Sequence, residues 1–396
     1  MPDSDKQWGE LMTAKTMKDP GTLDELETPF LAVDPARVQS NIGRLREHLD
    51  GLGATVRLHV KTAKSLDVAA LFHGGQPGPI TVSTLAEAEA FADAGYRDIV
   101  YAVGIAPHKL HRVTALRERG VDLTVLLDSV EQAAALAAGR TGTPGIPALI
   151  EIDCDGHRGG VRPGDPVLPA IAQTLLDGGA VLRGVLVHAG ESYYADGDDE
   201  LRAAAENERQ CAVQAAEVLR AAGHEVPVVS VGSTPTAHFA TGLAGVTEVR
   251  AGNFVFFDLV MAGIGVCAPA DLAMTVVVTV IGHRRDKGSI LTDGGWMATS
   301  RDRGTARQRW DQGYGLIADL DGNLYEDLVM TDASQEHGVL TVRPGSAAAL
   351  PDLPVGTRLR ILPIHACATA AQHDRYHVTK PGSRAVQAVW PRIQGW

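Results

Sequence analysis

A lysine at the end of a short strand pattern is the first residue in this chain whose position could support chemistry. Residues 55–60 alternate apolar and polar side chains, which predicts a strand, and Lys61 stands where that strand should end. Strand ends in α/β folds open into clefts, so an amine placed there could form a Schiff base with a carbonyl compound. The alternative is an ordinary surface lysine, since the chain contains 36 Lys and Arg residues.

Further polar side chains follow later strand patterns. Asp153, His157 and Arg158 come directly after one of them. His188 ends the next, and Tyr193 lies five positions beyond it. Barrel enzymes carry their sites at the carboxyl ends of the strands, so we expect these residues to lie on the same rim as the lysine.

Two glycine-containing segments follow the last two strand patterns, and each resembles part of a phosphate cradle: Gly232–Thr236 and Arg250–Asn253. Glycine lets backbone N–H groups approach an anion, and the hydroxyls of Ser233 and Thr234 add donors. Either segment alone also fits an ordinary turn. Together with a lysine and an arginine on one rim they suit pyridoxal phosphate (PLP), because the lysine can hold the aldehyde and the cradle the phosphate.

A second chemical feature, His365–Cys367, lies near the C-terminus. On an extended backbone, positions two apart face the same way, so the imidazole and the thiolate could reach one ion. These ligands suit Zn²⁺. The sequence offers no second ligand pair with matching spacing, so a metal here would keep open positions for water and substrate, as catalytic sites do. From spacing alone, a buried cysteine beside a hydrogen-bonded histidine remains the alternative.

Alternating strand and helix patterns must position these residues. Eight short apolar runs, separated mostly by helical patterns, fall at 55–60, 79–83, 98–102, 121–127, 147–153, 181–187, 226–231 and 246–250. They predict an α/β fold, a (β/α)8 TIM-type barrel over residues 29–268 that follows an N-terminal arm, 1–28. Short runs between Gly, Asp and Pro turns predict a mostly antiparallel β domain over 269–396. The arginine-rich segment 301–314 within it predicts a lid or a solvated loop.

Composition narrows the classes of function. The chain has 396 residues, 45% of them hydrophobic, and a formal charge of −12 without a dense basic cluster, which argues against a nucleic-acid partner. Its longest apolar run, near 274–282, is far shorter than the ~20 residues that span a bilayer. The polar N-terminus lacks the apolar core of a secretory signal. Four widely spaced cysteines suit reduced thiols. We expect a cytoplasmic enzyme with a small-molecule substrate.

Seven motifs stand in one order along the chain: His59–Lys64, Glu151–Asp153 with Arg158–Val161, His188–Tyr193, Gly232–Thr236, Arg250–Asn253, Ser334–Gly338 and His365–Cys367. In this order the chain resembles the metal-dependent D-serine dehydratase and D-threonine aldolase group, fold-type III PLP enzymes related to alanine racemase. The resemblance covers about residues 28–380. It implies a barrel that carries PLP, a β domain that carries the metal, and a homodimer with its sites near the interface.

The resemblance also implies roles for single residues. It makes Lys61 the Schiff-base lysine and the catalytic residue, and His365 and Cys367 ligands of zinc, with Mn²⁺ or Mg²⁺ as alternatives. The cofactor-binding residues it implies, besides the lysine, are His59, Arg158, His188, Tyr193, Gly232, Ser233, Thr234, Gly252 and Asn253. Two departures stand out: Ala63 occupies a position where the family usually has histidine, and Phe254 one where it often has tyrosine.

The reaction we expect is elimination of water from a D-3-hydroxy amino acid. Lys61 would remove the Cα proton while the cofactor ring stores the charge, and the metal would assist departure of the β-hydroxyl. A 2-oxo acid and ammonia would result. D-serine, D-threonine and D-threo-3-hydroxyaspartate all fit this chemistry.

Three alternatives remain open. Retro-aldol cleavage to glycine and an aldehyde needs the same scaffold, but aldolases of the group tend to show His-x-Asp, so Cys367 favours the dehydratase. A non-catalytic PLP carrier protein would lack the β domain and the His-x-Cys pair. Racemisation would need a second base, and the β domain offers Tyr314, Tyr325 and Tyr376 without distinguishing one of them.

Overall fold

The chain folds into a closed barrel of eight parallel strands followed by an antiparallel sheet, in a computed structural model that describes residues 21–138, 145–380 and 382–396. The predicted fold class is confirmed. Residues 1–20 of the predicted N-terminal arm lie outside the described residues. The part of that arm that is described contributes to the core, because Leu23 is fully buried.

The barrel strands coincide with the eight predicted apolar runs. After β1 (Phe30–Val33), which is not part of the barrel, they are β2 (Val56–His59), β3 (Ile80–Val82), β4 (Asp98–Gly104), β5 (Asp122–Leu127), β6 (Pro147–Ile152), β7 (Val181–Val187), β8 (Val228–Val231) and β9 (Glu248–Ala251). Each pairs in parallel with the next, and β9 closes onto β2 with Val249 opposite Val56. All carboxyl ends therefore lie at one rim.

One α-helix follows β1 and one follows each barrel strand, in the order α1 (Pro35–Gly51), α2 (Leu66–His73), α3 (Leu85–Asp93), α4 (Leu110–Glu118), α5 (Val130–Ala138), α6 (Val167–Asp177), α7 (Asp198–Ala221), α8 (Thr234–Phe239) and α9 (Leu259–Gly263). Local signals start several of them. Asp34 accepts from the backbone N–H groups of Ala36 and Arg37 at the start of α1, and Thr84 forms a capping box with Glu87 in α3. The last two helices are short, with 6 and 5 residues.

The second domain contains the remaining strands and two short helices: β10 (Met274–Arg284), β11 (Ser289–Thr292), α10 (Trp296–Thr299), β12 (Gly315–Ala318), β13 (Leu324–Ala333), β14 (Gly338–Val342), β15 (Arg358–Pro363), α11 (Ala366–Ala370), β16 (Arg375–Thr379) and β17 (Val386–Pro391). Its strand order is β11-β14-β13-β12-β15-β10-β1-β16-β17. Since β10 also pairs with β11, six of these strands form a ring. Within this sheet, the pairing of β1 with β16 is the only parallel one among the described strands.

The first strand within the described residues belongs to this second sheet. β1 runs antiparallel to β10, with Phe30 opposite Val277, and parallel to β16. The first strand of the barrel is therefore β2 and not β1. The predicted domain limits, 29 and 268, remain a prediction.

The two domains share one hydrophobic core, which holds the β domain against the carboxyl rim of the barrel. The hydroxyl of Tyr376, on β16, donates to the carbonyl of Ala63 just beyond β2, at 2.5 Å. The backbone N–H of Val260 donates to the carbonyl of Ile364 at 3.2 Å. These contacts place the turn after β15 directly above the barrel rim. None of the helices in the described ranges is long and apolar enough to cross a membrane.

Candidate active site

A cleft of about 230 Å³ opens where the barrel rim meets the β domain. Six of the predicted site residues line it: Lys61, His188, Tyr193, Asn253, His365 and Cys367. They come from the ends of three barrel strands and from the turn after β15. Thr62 Oγ1 lies 3.1 Å from Cys367 Sγ, so the lysine segment and the cysteine segment are in direct contact.

The amine of Lys61 has an environment that favours its neutral form. Burial lowers the pKa of Lys61, and the Cys367 thiol offsets this only in part. The positive charges of Arg158 and Arg250 lower it further. A neutral amine can act as a nucleophile toward an aldehyde and can accept a proton, so the local electrostatics suit both roles.

The two histidines near the lysine are held neutral. Burial and the charge of Lys61 lower the pKa of His59 and of His188 well below the ordinary value. His188 Nδ1 lies 3.1 Å from the carbonyl oxygen of Gly232, so Nδ1 carries the proton and Nε2 remains an acceptor. His59 Nδ1 accepts from the backbone N–H of Lys61 at 3.4 Å. Neither ring therefore carries the second proton that it would need to act as a cationic acid.

The segment after β8 forms the best-defined part of the predicted cradle. Ser233 caps α8: its hydroxyl accepts from the backbone N–H of Thr236 at 3.2 Å. The neighbouring Thr234 is buried, and its Oγ1 has no hydrogen-bond partner among the described residues. A buried hydroxyl without a partner is costly in an apolar setting, and an anion beside it would satisfy it.

A buried glutamate holds the two loops of this cradle together. Glu208, on α7, accepts from the backbone N–H of Ala189 at 2.8 Å and of Gly232 at 3.1 Å. Its second oxygen accepts from Thr236 Oγ1 at 2.7 Å. These bonds join the end of β7 to the end of β8. Burial raises the pKa of Glu208, since the charged form is poorly solvated there.

The segment after β9 is fastened to the β domain through Asp258. The side-chain amide of Asn253 donates to Asp258 Oδ2 at 2.5 Å, and the backbone N–H of Ala366 donates to the same oxygen at 2.9 Å. A Cβ at Gly252 would lie 2.6 Å from the carbonyl oxygen of His59, so only glycine fits between these strand ends. The Asn253 amide oxygen is buried without a partner among the described residues.

His365 and Cys367 line the same cleft, although the geometric reason expected from the sequence was wrong. The two residues do not lie on an extended strand, because β15 ends at Pro363 and Ala366 already begins α11. His365 is the residue before the helix, with φ −137° and ψ 109°. The strand-to-helix turn brings both side chains to the cleft.

The imidazole and the thiol perturb each other strongly. Burial alone would lower the pKa of His365, but Cys367 and a hydrogen bond with Asp302 raise it well above the ordinary value. Burial alone would raise the pKa of Cys367, but His365 and Lys61 lower it. A thiol whose pKa is lowered supplies the thiolate that a metal binds. No group of three or more His, Cys, Asp or Glu side chains among the described residues is arranged to hold a metal.

Other predicted site residues do not line the cleft. Arg158 lies on the loop after β6, is largely exposed and pairs with Glu151 at 3.2 Å. The remaining ones are also absent from the cleft lining: His59, Gly232, Ser233, Thr234 and Gly252. Phe254 is fully buried and packs edge-on against Phe72, with ring centroids 6.2 Å apart. Its position in the core accounts for an apolar ring there.

The structure adds three carboxylates that the sequence patterns did not single out: Asp258, Glu208 and Asp302. Asp302 lies in the predicted loop 301–314, lines the cleft and contacts His365. A lone acid in a loop, or one on the buried side of a long helix, follows no periodic or motif signal. The three tyrosines considered for a racemase are not among the residues that line the cleft.

Two family models match the chain. The model of the alanine racemase N-terminal domain matches residues 33–260, and that of a putative serine dehydratase domain matches residues 273–379. The first includes all eight barrel strands, and the second extends from β10 to β16.

Individual relatives match almost over their full length. The chain is 54% identical over 379 residues to D-threo-3-hydroxyaspartate dehydratase from Delftia sp. strain HT23, covering 95% of this chain and 99% of that protein. It is 27% identical over 389 residues to D-serine dehydratase from Dictyostelium discoideum, with 93% and 97% covered. It is 26% identical over 379 residues to 3-hydroxy-D-aspartate aldolase from Paracoccus denitrificans strain Pd 1222, with 93% and 92% covered.

Solved structures of the Delftia dehydratase share the fold. The enzyme superposes on this chain with a TM-score of 0.91, covering 95% of this chain and 100% of the other. A cysteine-to-alanine variant of that enzyme in the metal-free form and a histidine-to-alanine variant give the same TM-score. The histidine and the cysteine changed in those variants stand two positions apart, in the same order as His365 and Cys367.

Proposed function

This chain belongs to the family of PLP-dependent lyases that join an alanine racemase N-terminal domain to a serine dehydratase domain, and we propose that it eliminates water from D-threo-3-hydroxyaspartate. D-serine is the second substrate we expect to be accepted. One observation carries the proposal. The amine of Lys61 and the pair formed by His365 and Cys367 line a single cleft, in a chain 54% identical to a dehydratase of that substrate.

The described residues fit PLP. Lys61 would hold its aldehyde, and the unsatisfied hydroxyl of Thr234, with Ser233 and the backbone at Gly252 and Asn253, would hold its phosphate. The Asn253 side chain is committed to Asp258 through its donor, so its contact with a phosphate would come from the main chain. When bound, PLP supplies an electron sink that stabilises the negative charge formed at Cα.

The described residues also fit a divalent metal. His365 and Cys367 supply an imidazole and a thiol of lowered pKa, a combination that suits Zn²⁺. The variants of the Delftia enzyme support this, since its structures include a metal-free form of a cysteine variant. When bound with open positions, the metal supplies a Lewis acid toward the β-hydroxyl. Zinc is the metal we propose, with Mn²⁺ and Mg²⁺ as alternatives.

The chain's own groups divide the remaining work. Lys61, held neutral by burial, takes the Cα proton. The neutral ring of His188 is held in place by its hydrogen bond to the carbonyl oxygen of Gly232. Tyr193 forms the adjacent wall of the cleft. The segment that contains Asp302 and Gly304 lines the outer side of the cleft and restricts its access to water.

We also propose a cytoplasmic homodimer with its sites near the interface. All four cysteines are unpaired, as in reducing compartments. The large apolar side chains that are exposed among the described residues include Tyr194, which lines the cleft, Met297, and Trp310, the last with 59% of its surface accessible. An interface between two copies of the chain would cover such groups. Light scattering after size exclusion measures the molecular mass, and a monomer would overturn this part.

A product assay tests the reaction. The purified protein, supplied with PLP and Zn²⁺, is incubated with D-threo-3-hydroxyaspartate, D-serine or D-threonine, and four products are measured: ammonia, 2-oxo acid, glycine and aldehyde. We expect ammonia and 2-oxo acid in equal amounts, fastest with the first substrate. Glycine and aldehyde alone would replace the dehydratase with the aldolase. No turnover of any of the three would favour a PLP carrier.

A further inference from the structure

A carboxylate from the second domain is bonded to the histidine of the His-x-Cys pair. Asp302 Oδ2 lies 2.6 Å from His365 Nδ1, and both residues line the cleft. The two residues belong to different segments, Asp302 between α10 and β12, and His365 between β15 and α11. Their contact is therefore produced by the fold and not by local sequence.

This contact determines which ring nitrogen of His365 is available. An ionised carboxylate only accepts hydrogen bonds, so Nδ1 must carry the proton that lies between the two groups. When the ring is neutral, as metal binding requires, its lone pair is therefore on Nε2. A neutral imidazole binds a metal through one nitrogen only, so the carboxylate leaves a single binding orientation.

Asp302 is itself well anchored. Its backbone N–H donates to Ser300 Oγ at 3.2 Å. Further along the segment, Thr305 is fully buried, and the side chain of Gln308 donates to the carbonyl of Val260 at 3.0 Å. Arg303 pairs with Asp311 at 2.7 Å and closes the segment on itself. A carboxylate on such a framework can restrain the imidazole that it contacts.

We propose that Asp302 is a positioning residue that fixes the tautomer and ring orientation of His365 for metal binding. The inference rests on the metal site of the proposed function. Carboxylate partners of metal-binding histidines raise metal affinity by roughly 10–100-fold in other proteins. We expect a loss of that order, about 10–100-fold, when the carboxylate is removed.

Metal affinity is the primary measurement. The PLP-loaded protein is stripped with a chelator, and Zn²⁺ and Co²⁺ are titrated in competition with a chromophoric chelator. Asp302→Ala removes the contact, and Asp302→Asn keeps the shape but not the charge. Asp311→Asn is the matched control, because Asp311 belongs to the same segment and pairs with Arg303 without contacting His365. His365→Ala measures how much metal binds to the protein outside the proposed site.

The Co²⁺ spectrum separates positioning from a general loss of structure. The thiolate-to-metal band reports Cys367, and the visible ligand-field bands report the geometry of the whole ligand set. We expect Asp302→Asn to keep the thiolate band and to change the ligand-field bands. A variant that only disturbs the segment, such as Asp311→Asn, should keep both.

The outcomes distinguish the positioning role of Asp302 from the existence of the metal site. If wild type and His365→Ala bind metal equally, the metal site itself is refuted. If those two differ and both Asp302 variants bind as tightly as wild type, only the positioning role is refuted. If Asp311→Asn weakens binding as much as Asp302→Asn, the order of the segment and not the imidazole contact is responsible, which also refutes it. Asp302→Asn keeps the test valid if Asp302→Ala does not fold.

Discussion

Replacing Glu208 tests how the cradle loops are held. Its carboxylate is almost completely buried, with 1% of its surface accessible, and it accepts three hydrogen bonds, one each from the end of β7, the end of β8 and α8. Glu208→Ala leaves two backbone N–H groups and the Thr236 hydroxyl without their acceptor. An unsatisfied buried group costs about 1–3 kcal/mol, so three would cost roughly 3–9 kcal/mol. Water entering the space should keep the loss of unfolding free energy near the lower limit, about 3 kcal/mol.

Glu208→Gln gives the sharper result, because its effect depends on pH. The amide oxygen can still accept from Ala189 and Gly232, so the loss should be about 1 kcal/mol. Burial raises the pKa of Glu208 above its ordinary value of 4.5, so the unfolded state ionises first as pH rises. The wild-type protein therefore loses stability as pH rises through the interval between the unfolded and folded pKa values, whereas glutamine does not titrate. The advantage of wild type over the variant should shrink from pH 4 toward pH 8.

Urea unfolding of wild type, Glu208→Gln and Glu208→Ala at several pH values measures these differences directly. Glu206→Gln is a matched control, since Glu206 lies on the same helix, is only half-buried and pairs with Arg209 at 2.6 Å. Its effect should stay within about 1 kcal/mol. An advantage of wild type over Glu208→Gln that grows with pH would refute the reasoning, because the three hydrogen bonds would then outweigh the cost of burying the charge.

The remaining predictions concern the reaction. Lys61→Ala should lose the visible absorbance of covalently held PLP and lower kcat by about 10²–10⁴; a spectrum and a rate like those of wild type would contradict its role. Cys367→Asp should raise the ratio of glycine to ammonia formed from D-threo-3-hydroxyaspartate, and an unchanged ratio would show that this ligand does not decide the outcome. Arg307 lies 4.4 Å above the ring of Tyr194, which lines the cleft, and is the loop arginine best placed for a β-carboxylate. Arg307→Ala should raise KM for D-threo-3-hydroxyaspartate about fivefold, the equivalent of about 1 kcal/mol, without changing KM for D-serine; Arg309→Ala, as control, should change neither.

The barrel could be predicted from the sequence because of how its strands are buried. Strands of a parallel barrel face the interior on one side and helices on the other, so they appear as nearly continuous apolar runs. All eight runs correspond to strands. The placement of β1 had no such signal, because its partners β10 and β16 lie far along the chain. A short apolar run shows that a strand exists but does not show which strand lies beside it.

The site could be predicted in part, and the limit has a physical origin. Lys61, His188 and Tyr193 follow strand ends, and strand ends of a closed barrel must meet. The pair His365–Cys367 was found by spacing, although a strand-to-helix turn and not a strand brings the two together. Asp302, in contrast, acts through a contact between segments that are distant in sequence. Such a contact leaves no periodic pattern in one chain.

The position of β1 has a consequence for how the protein is made. During synthesis from the N-terminus, Phe30–Val33 leaves the ribosome before the barrel, but the strands on both its sides follow only after the entire barrel. The second sheet therefore cannot be completed until the chain is almost finished, and its first strand must stay unpaired throughout. For the same reason the two domains cannot be exchanged as separate units: a transplanted second domain would lack the strand between β10 and β16 unless Phe30–Val33 came with it.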